Sequence, residues 1–149
     1  MDLNHPNNTI TTGSNVLTLP AATDTLVGKA TTDTLTNKRV QYRVLSEASS
    51  ANPTFNTDSY DMYEAYAQTE AINFANANIT GSPVNGQVLI ISVASSVDTA
   101  RFITWGTNFV SSLAVLPTTT AATPQPITIM FIYMSNLIGG AKWVCKGVA

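Results

Sequence analysis

The rhythm of apolar and polar positions changes at about residue 40. Before it, large apolar residues are sparse, and those such as Val16, Leu17, Leu19, Leu26, Val27 and Leu35 stand among Thr, Asn, Asp and Gly. Every Phe, Tyr and Trp comes after it. Val40, Tyr42 and Val44 alternate with Gln41, Arg43 and Leu45, the period-two signal of a strand with one buried face. Residues 62–67 (Met-Tyr-Glu-Ala-Tyr-Ala) suit a strand or a helical turn. Tyr favours strands, and Ile72-Asn73-Phe74 resumes the alternation, so a strand is expected. Residues 88–93 form a continuous apolar run between Asn85-Gly86 and Ser95-Ser96, the pattern of a central strand buried on both faces. Residues 101–105 and 127–134 read as further strands. Residues 136–141, with Gly139-Gly140, form a hairpin loop into a last strand at 142–148. Asn52-Pro53, residues 56–59 and residues 81–86 punctuate the chain as turns.

This pattern predicts an all-β fold. Its second part, residues 41–149, is expected to be a jelly-roll-like β-sandwich head. The first forty residues are expected to be an extended stalk or anchor. Thr23-Asp24-Thr25-Leu26 recurs nine residues later as Thr32-Asp33-Thr34-Leu35, and Lys29 and Lys38 follow at matching positions. A unit with one or two apolar side chains cannot offset the roughly 1–2 kcal/mol per residue that ordering its backbone costs. Such a segment is either disordered or wound around identical copies. In the second case Leu19, Leu26 and Leu35 meet on the axis of a trimeric stalk, with Thr, Asp and Lys in water.

Composition narrows the partners. Charged residues are 11% of the chain and the net charge is −2. Neither phosphate neutralisation on nucleic acid nor docking on anionic lipid has the clustered Lys and Arg it needs. The 44% hydrophobic share is ordinary for a folded domain. The first residues lack the basic and apolar regions of a secretory signal, and no apolar run approaches the roughly 20 residues that span a bilayer. Synthesis in a cytoplasm without membrane insertion is expected.

Candidate chemistry is thin. His5 is the only histidine and Cys145 the only cysteine. A nucleophile–base pair or a zinc set needs more convergent groups, and Cys145 reads as a buried, inert thiol within Trp143-Val144-Cys145. Asp58, Asp61, Glu64 and Glu70 lie close in sequence. As a glycosidase pair, two of them would have to flank a cleft about 5–10 Å apart; a solvated face is the plainer reading. Asn56, Asp58 and Asp61 could offer oxygen ligands to Ca²⁺ but lack the dense acidic pattern of a calcium loop. No Gly-rich phosphate loop is present. The expectation is no catalytic residue, no metal site and no cofactor. Tyr60, Tyr63 and Tyr66 are a candidate exposed recognition surface, because aromatic faces with polar tips suit carbohydrate; core or subunit-interface packing is the alternative.

Thr34-Leu35-Thr36-Asn37-Lys38-Arg39 resembles a junction motif of tailed-bacteriophage fibre and minor virion structural proteins. Similar stretches follow in the same order: Gly81-Ser82-Pro83-Val84-Asn85-Gly86-Gln87, Thr99-Ala100-Arg101-Phe102-Ile103-Thr104-Trp105, Leu116-Pro117-Thr118-Thr119-Thr120, Phe131-Ile132-Tyr133 and Lys142-Trp143. Residues 92–97 and the longer final hairpin depart from that pattern. The resemblance implies a virion structural protein made in the host cytoplasm, a homotrimer partnered by itself and by capsid or tail proteins. A short head fibre or capsid decoration is the expected role. The alternative is a tail-fibre tip that binds a host surface glycan. A polysaccharide-degrading enzyme is the least supported class.

Overall fold

The computed structural model describes residues 9–12, 15–18, 39–112, 114–122 and 125–149. The chain divides into two compact units, Met1–Arg39 and Val40–Ala149. In the first, β1 (Thr9–Thr12) and β2 (Asn15–Thr18) pair antiparallel, with Thr9 opposite Thr18 and Thr12 opposite Asn15. Only Gly13 and Ser14 separate them, a connection length that suits an antiparallel pair. The stalk positions Leu19, Leu26 and Leu35 lie outside the described residues.

Among its described residues the second unit carries ten strands. They are β3 (Val44–Glu47), β4 (Phe55–Asn56), β5 (Met62–Gln68), β6 (Ile72–Phe74), β7 (Ile79–Thr80), β8 (Val88–Ser95), β9 (Ile103–Trp105), β10 (Phe109–Val110), β11 (Ile127–Met134) and β12 (Lys142–Val148). Among the described residues there is no α-helix, only a short 3-10 turn at Asn76–Asn78. The fold is all-β.

A six-stranded sheet runs in the order β10-β12-β11-β8-β5-β3, and β4-β7 and β6-β9 form two short pairs. A jelly roll is built from antiparallel strands, whereas here β3, β5 and β8 are parallel, as are β4 with β7, β6 with β9 and β10 with β12. The reason is that the chain winds. Val44 lies opposite Met62 and Met62 opposite Ile90; Phe55 lies opposite Ile79, and Ile72 opposite Ile103. Each partner comes one circuit later, so three sides stack circuit upon circuit. The Asn73 amide donates to the Ala51 carbonyl at 2.8 Å, extending the β6 side into the first circuit. The antiparallel hairpin β11–β12 then closes the winding against β8. A strand covered on both faces reads as a continuous apolar run whether its neighbours are parallel or antiparallel, so the runs at 88–93 and 127–134 do not separate the two.

The core lies between the inner face of the large sheet and the two short sides. Tyr63, Leu89, Ile91, Val93, Ile129, Phe131 and Cys145 fill it from the sheet; Phe55, Ile72, Phe74 and Ile103 fill it from the short pairs. A chain of rings joins the layers: Phe55 stacks on Tyr63 at 5.5 Å, Tyr63 meets Phe74 edge-on at 5.6 Å, and Phe74 stacks on Trp105 at 4.9 Å. Trp105 and Phe109 then reach Phe131 at 5.5 and 5.0 Å. Such pairs each add about 0.5–1.5 kcal/mol beyond burial of their area.

The first strand of the second unit, β3, departs from expectation. It begins at Val44, and Val40, Tyr42 and Val44 are the exposed parity. β3 has a single neighbour, and Leu45, the other parity, packs toward the core.

Candidate functional site

Strand registers set what the large sheet offers on its outer face. Val44, Met62, Ile90 and Met130 lie side by side on β3, β5, β8 and β11. Alternation sends their neighbours Leu45, Tyr63, Leu89, Ile91, Ile129 and Phe131 into the core, so these four share the opposite face. Val44 and Met130 are 45% and 41% exposed, while Met62 and Ile90 are half-buried. Val88 pairs with Ile132 in the adjoining register, both half-buried. On the other flank runs a polar row, Ser46, Glu64, Ser92 and Thr128. Ser46 donates to Glu64 Oε2 at 2.7 Å, and Thr128 to Ser92 at 3.4 Å.

A second surface lies beside the entry to β3. Arg43 clamps Asp61: its Nε and Nη2 donate to the two carboxylate oxygens at 2.9 and 2.7 Å, and its backbone N–H adds a third bond at 3.0 Å. The Arg43 side-chain bonds hold the Asp61 carboxyl at about 2, below the ordinary 3.8. Arg43 Nη1 also donates to the Asp58 carbonyl at 2.6 Å. The Asp58 carboxylate receives the Ser82 N–H at 2.9 and 3.0 Å. Gln87 donates to the Thr57 carbonyl at 2.8 Å and accepts from Val84 N–H at 3.1 Å. These residues line a shallow depression of about 520 Å³. Arg43, Asp58, Asp61 and Gln87 are already bonded within it. Nothing local in the sequence signals this clamp, because Arg43 and Asp61 meet only through the parallel pairing of β3 with β5.

The three tyrosines do not form one recognition surface. Tyr63 is fully buried, with its hydroxyl donating to Glu47 Oε1 at 2.6 Å. Burial, then the Glu47 carboxylate, push its ionisation far above the ordinary range. Tyr60 is half-buried against the core, and only Tyr66 is exposed, at 58%. The alternation of β5 explains this: Tyr63 points inward, and Tyr66 lies on the opposite side.

Of the clustered carboxylates, Asp61 is committed to Arg43, Asp58 to the Ser82 amide and Glu64 to Ser46. Among the described residues no group of three His, Cys, Asp or Glu is placed to hold a metal ion, and no helix is long and apolar enough to cross a membrane. Cys145 is free and buried, and burial raises its thiol pKa. A smaller cavity of about 130 Å³ lies beside Tyr133 and Trp143, whose rings meet at 5.0 Å. Comparison with protein-family models, with curated proteins and with solved structures gives no match for this chain.

Proposed function

We propose that this chain is a structural protein of a tailed-bacteriophage particle: a homotrimeric short head fibre or capsid decoration. The observation that carries the reading is the division of the chain. A unit before Val40, free of aromatic residues, is distinct from a β-only unit built on an aromatic core. This division supports the reading of an anchor and a head. In this reading the anchor winds around its copies through Leu19, Leu26 and Leu35 and contacts capsid or tail proteins. About forty residues at ~3.3 Å each reach at most ~130 Å, which suits a short projection better than a long shaft. In finer detail the head is sandwich-like in its opposed layers, with a wound parallel part where a jelly roll would be antiparallel. No cofactor and no catalytic step belongs to this role.

Electron microscopy of purified particles labelled with antibody to residues 40–149 tests it. Label at regular positions on the particle is expected. A chain recovered only from the soluble part of the lysate and absent from particles would overturn the reading.

The depression beside Arg43 and the exposed Tyr66 favour a second reading, a tail-fibre tip that binds a host surface glycan. It ranks second because a sugar would have to displace the bonds that Arg43, Asp58 and Gln87 already make. Binding of the purified chain to host cells that disappears when surface polysaccharide is stripped would reverse this order.

A further inference from the structure

We propose that Asn85 is a site of spontaneous covalent modification: its side chain closes on the Gly86 nitrogen and is hydrolysed to a carboxylate, and the end of β11 gates that step. The reagent is water. The inference is independent of the reading of the chain as a virion protein.

Sequence and exposure supply the reactants. Asn85 is the only asparagine followed by glycine; at every other asparagine a side chain or a proline ring crowds the next nitrogen. Asn85 and Gly86 are both exposed. A Cβ at position 86 would meet nothing within 4 Å, so water reaches the bare backbone there. In the step, the Gly86 N–H proton leaves to base and the nitrogen bonds to Asn85 Cγ. The Cγ–Nδ2 bond breaks, and Nδ2 departs as ammonia, taking up a proton in place of the one lost. Water then opens the cyclic imide at either carbonyl and leaves an aspartate or an isoaspartate at position 85. Nothing is oxidised or reduced.

Hydrogen bonds restrain both reactants. The Gln87 N–H donates to the Val84 carbonyl at 3.0 Å and closes a tight turn around Asn85 and Gly86. The Gly86 N–H donates to the Tyr133 carbonyl at 2.9 Å, and the Tyr133 N–H donates to the Gln87 carbonyl at 2.8 Å. Gly86 and Gln87 thus face Tyr133 together, a bulge with its glycine at φ +88°. The Ser135 N–H donates to Asn85 Oδ1 at 3.1 Å. The proton that must leave is therefore engaged, and the carboxamide is tied to a different segment. Both ties lead to residues 133–135, where β11 ends at Met134. Release of that short stretch frees the nitrogen and the carboxamide together, so local opening there sets the rate.

The product is a one-way mark of that opening. Asn85 lines the same depression as Arg43, Asp58 and Asp61. A new carboxylate adds negative charge beside the two already there, and the Arg43 guanidinium is committed to Asp61. Isoaspartate also lengthens the main chain by a carbon between position 85 and the Gly86 nitrogen. The Gly86–Tyr133 bond cannot then re-form in its former register, so a modified chain is looser where β8 meets β11.

The test incubates the full chain in mildly alkaline buffer, folded and in unfolding urea, and follows position 85 by peptide mass spectrometry. Conversion is expected in both, about tenfold or more slower in the folded chain. Ser135→Pro removes the N–H that holds the carboxamide. It should speed conversion several-fold in the folded state and leave the rate in urea unchanged. Hydrogen exchange at the Gly86 amide of the wild type decides the point without a variant: exchange and conversion should rise together as urea is added below the unfolding transition. Equal rates in folded and unfolded chains would overturn the gate. A folded chain that shows no conversion after the unfolded chain has converted fully would overturn the site. Conversion that rises while Gly86 exchange stays flat would overturn control by the end of β11.

Discussion

At the scale of single residues, burial separates side chains that look alike in the sequence. Leu89 and Ile90 are neighbours in one apolar run, yet Leu89 is fully buried and Ile90 sits on the outer face. Leu89→Ala should cost about 2–5 kcal/mol in chemical denaturation. Ile90→Ala, at a half-buried site, should cost less in the same measurement. Ser112→Ala, at an exposed site, should stay within about ±0.5 kcal/mol. Asp61 adds a pH dependence. Its folded pKa, about 2, lies below the ordinary 3.8, so its contribution is complete above the ordinary value and is lost as pH falls through the folded one. Melting temperature should therefore drop between about pH 4 and pH 2 more steeply in the wild type than in Asp61→Asn, since the mutant has no carboxylate there to protonate. Equal slopes would mean that the Arg43 clamp contributes nothing.

At the scale of elements, most strands were legible and their partners were not. The expected strand at 127–134 and the final one at 142–148 coincide with β11 and β12, because turn signals bound both. Gly139 and Gly140, at φ +95° and +94°, turn the chain between them. The ambiguous stretch at 62–67 is β5, as its tyrosines suggest. The two-residue strands β4 and β7 carry too few positions to show a period, and the parallel winding has no local signature. The candidate tyrosine surface failed for a related reason: three tyrosines three residues apart cannot share one face of a strand. Gln68 is a further device hidden from sequence. Fully buried next to a bulge in β5, it donates to the carbonyls of Ser50 and Glu70 and accepts from Ser50 N–H, at 2.9–3.0 Å. Gln68→Leu should cost about 1–3 kcal/mol by stranding those backbone groups. Turns differ too. A Cβ on Gly81, at φ +112°, would lie 2.5 Å from Thr57 Oγ1, whereas one on Gly86, at φ +88°, meets nothing within 4 Å. Gly81→Ala should therefore lower the melting temperature more than Gly86→Ala, and the reverse order would show that packing at Gly81 is not the constraint.

At the scale of the whole molecule, the division into two units supports the proposed anchor and head. In the proposed trimer each head folds around its own aromatic core, and the anchor holds the copies together. The stalk leucines that would hold those copies lie outside the described residues, so the number of chains in the assembly is the decisive quantity. Multi-angle light scattering of the full chain, purified at micromolar concentration, measures that number directly. Three times the 15.8 kDa chain mass is expected. A folded protein of the single-chain mass at that concentration would contradict the trimer.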